Sequence, residues 1–282
     1  VGRVQTPTLA MLVEREKKIQ QFASARYFTL ELNCGKFRAE SGKIEPLQAE
    51  QAAAKCGKTA VVKSVVKEQK NANPPKLYDL TTLQRDANKL YGYTAQQTLD
   101  CAQKLYESKL ITYPRTDSCY ITDDMEQTAA DMVRRTAAAF KFGADYDAQG
   151  CTPDIKRLIN NEKVSDHHAI VPTISADAAD ISVLPTGERE VLRLVARQLL
   201  CAVVESFRYA ETVVTFECGG HLFTAKGKEV LSRGWKAYLD RYLSENSLPE
   251  LKENAEVSVK SVAVKEGFTA PPPHFTEDTL LH

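Results

Sequence analysis

The residues best suited to chemistry lie in the run Thr112-Tyr-Pro-Arg-Thr-Asp-Ser118. Pro114 forbids helix at Tyr113, so a phenol and a guanidinium flank one rigid residue on an extended or turning segment. A tyrosine hydroxyl, with a reference pKa near ~10, is a weak nucleophile at neutral pH unless a cation or metal assists it. Arg115 can assist by binding two phosphate oxygens with its guanidinium fork. The pair indicates chemistry on a phosphate, although the residue types alone also fit an ordinary turn after a helix.

An amphipathic helix is predicted to lead into this loop, from Ala95 to Leu110. Its apolar positions at helical spacing are Ala95, Leu99, Ala102 and Tyr106. Its polar face carries Gln96, Asp100, Gln103 and Glu107. Thr94 and Gln97 have the spacing of a capping box, which predicts where the helix begins.

Four segments, in order along the chain, together resemble the type IA DNA topoisomerases. They are Val1-Gly-Arg-Val-Gln-Thr-Pro-Thr-Leu9, then Ala102-Gln-Lys-Leu-Tyr-Glu with Leu110-Ile-Thr-Tyr-Pro-Arg-Thr-Asp-Ser118, then Asp166-His-His-Ala-Ile-Val-Pro-Thr173, and Pro271-Pro-Pro-His-Phe-Thr-Glu-Asp-Thr-Leu280. The proline between Tyr113 and Arg115 is similar to the topoisomerase III branch of that family.

The resemblance implies an ATP-independent DNA strand passage. Tyr113 would attack a single-strand phosphodiester to leave a 5′-phosphotyrosine, another strand would pass through the gap, and the 3′-hydroxyl would reseal it. Arg115 would stabilise the transition state electrostatically, and His167 would hold a phosphate. These three residues are the expected centre of the site.

The resemblance also implies further DNA-binding positions. Arg3 and Gln5 would lie in the groove that carries the single strand, at the start of a helix capped by Thr6 with Pro7 at its first position. Gln103 and Glu107 would contact the nucleotide, and Thr112, Thr116 and Asp117 would support the tyrosine loop. Taken by residue type alone, Gly2 to Thr6 would be an ordinary capped helix start, and His167 could equally be structural.

The expected cofactor is Mg²⁺, bound in the family by a Toprim domain with an Asp-x-Asp-x-Asp site and a catalytic Glu. No run in this sequence matches that domain, so we expect a fragment that lacks it and does not relax DNA alone. No metal site is expected within the chain. His167 and His168 lack the spacing of a metal helix, and the seven cysteines include no C-x-x-C pair.

Composition limits the possible partners and the compartment. The 282 residues carry 37 basic and 37 acidic side chains, so any contact with DNA must come from local patches. One such patch holds six lysines between Lys55 and Lys76, which also fits a solvated strand face. No signal peptide or membrane span is apparent, which predicts a cytoplasmic protein, and the resemblance implies association with the nucleoid. Single-stranded DNA is the expected partner, and the resemblance adds a RecQ-type helicase and a single-strand-binding protein.

The predicted fold class is α+β, an antiparallel β domain with an inserted all-helical domain that carries Tyr113. By resemblance this is the arch of a type IA topoisomerase toroid. The predicted division is a partial helical base domain (1–23), the first part of the β domain (24–75), the helical domain (76–207), the second part of the β domain (208–266) and a return to the base domain (267–282). Gly219-Gly220 predicts a hairpin inside the β domain.

Two other functions fit the same residues. A non-catalytic clamp on single-stranded DNA would retain the tyrosine without using it. A tyrosine recombinase would also form a phosphotyrosine, but it would carry its tyrosine near the C-terminus among dispersed Arg and His residues, whereas Tyr113 is mid-chain.

Overall fold

A computed structural model describes residues 2–140, 152–176, 180–239 and 245–281. The elements in chain order are α1 Gln5–Gln20, β1 Arg26–Asn33, β2 Arg38–Ser41, α2 Pro46–Lys55, β3 Thr59–Ala72, α3 Leu80–Tyr91, α4 Ala95–Glu107, α5 Glu126–Ala139, α6 Thr186–Ala202, β4 Phe207–Cys218, β5 His221–Ser232, β6 Glu256–Ser258, β7 Ser261–Phe268 and α7 Glu277–Leu280. The predicted α+β class with an antiparallel sheet is confirmed.

The chain divides into two compact units. The sheet unit comprises Val1–Lys70, Arg208–Leu231 and Leu243–His274. The helical unit comprises Asn71–Phe207, Ser232–Tyr242 and Phe275–His282. In this division residues 1–23 are grouped with the sheet, whereas the sequence assigned them to a separate base domain, and the five predicted boundaries stay a prediction.

The described strands form one seven-stranded sheet in the order β6-β3-β4-β5-β2-β1-β7. The pairs β1–β2, β1–β7, β2–β5 and β3–β6 are antiparallel. One face packs a core that includes Leu30, Leu32, Phe216 and Phe223, with Ala52 of α2 against it. The alternating apolar residues predicted for these strands therefore do fill one buried face.

The predicted hairpin joins β4 to β5. Gly219 and Gly220 have φ angles of 59° and 79°, which a two-residue turn of this kind requires at both central positions. A Cβ on Gly219 would lie 2.6 Å from the carbonyl carbon and oxygen of Lys55, whereas one on Gly220 would meet nothing within 4 Å. Both positions therefore need glycine for their positive φ angles, and Gly219 needs it also because a Cβ there would clash with the Lys55 backbone.

Three lysines of the run between Lys55 and Lys76 lie on β3 and are paired with glutamates of β4 and β5. Lys63 binds Glu217 at 2.5 Å, and Lys67 binds Glu229 at 3.3 Å. Lys70 forms a further ion pair with a glutamate of β4. For these three lysines of β3, the pairing favours the solvated-face interpretation over a DNA patch.

The first helix differs from its prediction in two ways. It begins at Gln5 with Val4 at the N-cap, because the Val4 carbonyl accepts from both Thr8 N (3.1 Å) and Thr8 Oγ1 (2.9 Å), and the Thr6 side chain caps nothing. The helical spacing of Leu9, Leu12 and Val13 predicts a core stripe for this helix, but all three are exposed, with Leu9 61% accessible. An amphipathic pattern shows what a helix can bury, and in the described chain nothing covers this face.

The helical unit follows its predicted caps closely. Asp79 and Thr82 form a capping box at α3, Gly92 ends that helix at a φ of 73°, and Thr94 with Gln97 forms the predicted box at α4. The helix α6 does start at Thr186, but Pro185 occupies its N-cap and Thr186 makes no capping bond. The sequence, with a threonine shortly before the apolar positions of this helix, predicts an N-cap at Thr186, and that prediction was wrong.

A second core lies inside the helical unit. Helix α6 contributes Val191, Val195 and Leu199, whose helical spacing predicts a buried stripe and which are all buried. Trp235 packs against this core, and its Nε1 donates to the Ala72 carbonyl oxygen at 3.0 Å, in agreement with a structural role. No described helix has both the length and the apolar run needed to cross a bilayer.

The hairpin gives a paired stability test. We expect Gly220→Ala to lower the free energy of unfolding by about 1–2 kcal/mol, because an alanine at positive φ is strained. Gly219→Ala adds the clash with Lys55 and is expected to cost about 2–4 kcal/mol. Urea denaturation of both variants measures this, and equal losses would show that the Lys55 backbone moves aside freely.

The helix caps give a second pair. Thr94→Ala removes the hydroxyl that accepts from Gln97 N at 3.1 Å, and we expect it to cost about 1 kcal/mol. Thr186→Ala has no cap to lose and is expected to stay within about 0.5 kcal/mol of the unchanged protein. Thermal unfolding followed by circular dichroism compares them, and a larger loss for Thr186→Ala would contradict the cap assignment.

Candidate active site

Tyr113 lies between two other aromatic rings in the helical unit. Its ring centroid is 5.3 Å from that of Tyr106, edge to face at 74°, and 4.4 Å from that of His167, tilted by 49°. Edge-to-face contacts of this kind stabilise a ring orientation beyond simple burial. Tyr113 itself is half-buried, so its ring is held while part of it remains accessible.

The loop after Tyr113 alternates between a buried and an exposed face. Pro114, Thr116 and Ser118 are buried, while Arg115 and Asp117 are exposed. Successive side chains of an extended backbone point to opposite sides. Pro114 is buried where the chain bends, and it separates the half-buried Tyr113 from the exposed Arg115.

Two threonine hydroxyls form hydrogen bonds between this loop and residues 166–173, which carry His167 and which we call the histidine segment. Thr112 Oγ1 donates to the Ala169 carbonyl oxygen at 3.0 Å and accepts from Val171 N at 3.0 Å. Thr116 Oγ1 donates to the His167 carbonyl oxygen at 2.9 Å. Each hydroxyl thus satisfies backbone groups of a distant segment, which brings Tyr113 and His167 together.

A third segment, just before α3, completes the support. Leu80 N donates to the Thr116 carbonyl oxygen at 3.0 Å, and Ile170 N donates to that of Tyr78 at 2.8 Å. Ile111 and Ile170 are buried beneath the loop. The tyrosine loop, the histidine segment and residues 76–80 are therefore joined by backbone hydrogen bonds over an apolar core.

The other predicted site residues are placed as follows. Gln103 Nε2 donates to Glu107 Oε1 at 3.0 Å, which orients both on the polar side of α4. Arg115 makes no hydrogen bond or ion pair with any residue that the structure describes. Arg3 and Gln5 are exposed in the sheet unit at the start of α1. The DNA roles assigned to all of these residues stay predictions.

Tyr106 was assigned to the buried stripe of α4, and this was wrong. The helix buries Thr98, Leu99, Ala102 and Leu105, and leaves Tyr106 40% accessible. Leu105 and Tyr106 are adjacent, so either could continue the stripe from Ala102 at helical spacing. The polar hydroxyl of Tyr106 was the available signal that it, rather than Leu105, faces the site.

Two ionisable groups close to the loop are held neutral. Burial and a hydrogen bond to Asp79 raise the pKa of Cys119 to about 11. Burial, followed by the neighbouring Asp86, raises the pKa of Tyr78 well above its usual value. Both groups serve as hydrogen-bonded structural partners at neutral pH.

The described residues do not group ligands for a metal ion. Within residues 2–140, 152–176, 180–239 and 245–281, no set of three or more His, Cys, Asp or Glu could hold one. The six cysteines in those ranges are free thiols. What this site offers is a phenol, an imidazole and a guanidinium on one framework.

Comparison with known proteins identifies the family. Residues 1–282 match a family described as DNA topoisomerase. DNA topoisomerase 3 of Bacillus licheniformis is 39% identical over 300 residues, covering 99% of this chain and 41% of that protein. DNA topoisomerase 3 of Bacillus subtilis is 39% identical over 301 residues, with the same coverage of 99% and 41%. The chain thus spans about two fifths of the length of these relatives.

The fold has a solved counterpart. The structure of full-length topoisomerase I from Thermotoga maritima superposes with a TM-score of 0.76 at 23% identity, covering 99% of this chain and 47% of that one. At this identity the similarity bears on the fold alone. Because the family match runs through the whole sequence and its relatives are topoisomerases 3, the chain belongs to the type IA DNA topoisomerases, on their topoisomerase 3 branch.

Proposed function

We propose that this chain supplies the tyrosine nucleophile of an enzyme that cleaves and reseals single-stranded DNA to change DNA topology. The observation that carries the proposal is the contact between Tyr113 and His167, with Arg115 exposed two residues after the tyrosine. A nucleophile and two groups able to bind phosphate oxygens are the minimum for phosphoryl transfer to a side chain.

The proposed reaction forms one phosphoester bond for each one that it breaks. Tyr113 Oη attacks the phosphorus, an Oη–P bond forms and the P–O3′ bond breaks. The phenol gives up its proton and the leaving 3′ oxygen takes one up. Resealing is the reverse, in which the 3′-hydroxyl attacks phosphorus and expels the tyrosine oxygen. One phosphodiester is exchanged for another, so the cycle needs no ATP.

The surrounding side chains have separate roles in this proposal. Arg115 stabilises the charge that develops on the non-bridging oxygens, and His167 binds one of them. Thr112 and Thr116 hold the loop against the histidine segment, and Asp117 supports it from the exposed face. Gln103, Glu107, Arg3 and Gln5 are proposed contacts of the bound strand.

Magnesium, which the family implies, does not fit the residues described, since they provide no group of metal ligands. We assign no step to it here, and the assay treats Mg²⁺ as a variable. Three further parts of this proposal rest on family membership. They are the arch of a type IA toroid as the fold, a RecQ-type helicase and a single-strand-binding protein as partners, and a nucleoid location.

The nucleophile can be tested by trapping the covalent adduct. In the full reading frame that encodes this chain, 5′-labelled and 3′-labelled oligonucleotides are incubated with and without Mg²⁺ and denatured with detergent. We expect label carried 3′ of the cleavage site to become attached to protein. Tyr113→Phe is expected to abolish this adduct, because the attacking oxygen is gone.

The control is Tyr106→Phe, which keeps the edge-to-face ring contact and removes only its own hydroxyl. It is expected to form the adduct. An adduct that persists in Tyr113→Phe would overturn the assignment. Oligonucleotide binding without any adduct in the unchanged protein would favour the non-catalytic clamp.

The arginine gives a graded test. Arg115→Ala is expected to slow adduct formation by about 10²-fold, because removing one preorganised donor to a transition-state oxygen typically costs that much. Arg115→Lys keeps the charge but loses the two-pronged geometry, so its rate should lie between that of the unchanged protein and that of Arg115→Ala. The control Arg134→Ala removes an exposed arginine paired with Asp131 at 2.8 Å and should leave the rate unchanged. An unchanged rate in Arg115→Ala would remove Arg115 from the mechanism.

A further inference from the structure

Tyr120, seven positions after Tyr113, is flanked by two lysines. Lys76 Nζ lies 5.4 Å and Lys163 Nζ 5.5 Å from the centroid of its ring. Both distances are within the range in which an ammonium group is attracted to an aromatic face. One ring therefore gathers two positive charges that come from distant parts of the chain.

The same ring lines a cavity of about 390 Å³ in the helical unit. A cavity of that size lies in the range of small-molecule sites. Its walls include Pro74, Pro75, Leu77, Leu158 and Tyr120, with Lys76 among the polar residues that line it. It thus combines apolar walls and an aromatic ring with cations at its edge, a combination suited to a flat aromatic group attached to an anion.

Arg157 and Lys76 line this cavity, and Lys163 lies against the Tyr120 ring without being part of the lining. These three cations are not neutralised equally. Arg157 is engaged, since it contacts Asp154 at 3.4 Å and donates to the Val204 carbonyl oxygen at 2.8 Å. Lys76 and Lys163 form no ion pair with a carboxylate in the part of the chain that the structure describes. The nearby Asp79 carboxylate accepts from Thr82 N and from Cys119 Sγ, which occupies it at the start of α3. Two ammonium groups are therefore free to bind an added anion.

We propose that this cavity, which we call the Tyr120 cavity, binds one nucleotide of single-stranded DNA. The base lies against Tyr120 and the proline and leucine walls, and Lys76 and Lys163 swing on their flexible stems to the phosphate. The inference rests on the proposed function, since it adds a second contact for the same DNA strand.

The Tyr120 cavity is built on the framework that holds Tyr113. The Tyr120 carbonyl oxygen accepts from Ala169 N at 2.8 Å, two residues after His167, and Ser118 Oγ donates to the Lys163 carbonyl oxygen at 2.7 Å. Seven extended residues span at most about 25 Å, so the two sites are a few nucleotides apart. A strand held in the cavity would be oriented relative to Tyr113.

The probe is a fluorescein-labelled ten-residue oligothymidylate, titrated with the full chain by fluorescence anisotropy at several salt concentrations. Tyr120→Leu is expected to weaken binding about five-fold or more, the loss typical of one base-stacking contact, and Tyr120→Phe to stay within about two-fold. Lys76→Ala and Lys163→Ala should each lower the salt slope of log K by about 0.7, as expected for one phosphate contact on a single strand. Arg134→Ala is the matched charge control and should change neither quantity.

A local readout separates direct contact from general destabilisation. An oligonucleotide containing 5-iodo-2′-deoxyuridine is photo-cross-linked and the modified peptide is identified by mass spectrometry. We expect the cross-link on the peptide that contains Tyr120, and its loss in Tyr120→Leu. Thymidine monophosphate should compete at concentrations where inorganic phosphate does not. Equal competition by phosphate, or unchanged binding and cross-linking in Tyr120→Leu, would overturn the proposal.

The two proposals fail in different ways. If no adduct forms on Tyr113 but Tyr120→Leu weakens binding and removes the cross-link, the nucleotide site stands and strand cleavage does not. If the adduct forms and the substitutions at Tyr120, Lys76 and Lys163 leave oligonucleotide binding unchanged, strand cleavage stands and the Tyr120 cavity does not bind DNA.

Discussion

The hydrogen bonds of two threonine hydroxyls are the constraint on which the site depends. Thr112 and Thr116 bind backbone groups of the histidine segment, across separations of 57 and 51 residues. Closing chain loops of that length costs entropy before any contact forms, and the buried core beneath the loop must offset that cost. Buried hydroxyls without partners would add a further penalty, so the tyrosine loop and the histidine segment are stable only as a pair.

The apolar core makes the pairing specific. Ile111, Ile121 and Ile170 are buried beneath the loop and the histidine segment, so a shift of either by one residue would turn an isoleucine outward and a polar side chain inward. The same register leaves Tyr113 half-buried and Arg115 exposed on either side of the buried Pro114. The isoleucines buried on one side of the backbone thus determine which side chains of the loop are accessible on the other side.

Local sequence signals predicted the parts of the fold that local physics determines. The capping box at Thr94 and the glycine turn after β4 depend on neighbours within a few residues, and both were predicted correctly. The exposed stripe of α1 and the outward-facing Tyr106 were not. Their burial is decided by what packs against the helix, and a pattern in one helix cannot supply that information. For the site, residue types indicated a phosphate reaction at Tyr113, whereas its contact with His167 became visible only in three dimensions.

The exposure of Arg115 two residues after the half-buried Tyr113 also bears on how a flexible strand could be aligned. A single-stranded substrate has many conformations, so one anchoring point near the nucleophile would leave the scissile phosphate free to rotate away. Reaction in a defined geometry needs the bound strand to lose that freedom before the chemical step. An extended loop fixed at several backbone hydrogen bonds presents its exposed side chains at regular intervals along one direction. Because Tyr120 belongs to the same hydrogen-bonded framework, a second contact there would define the direction of the strand as well as its position.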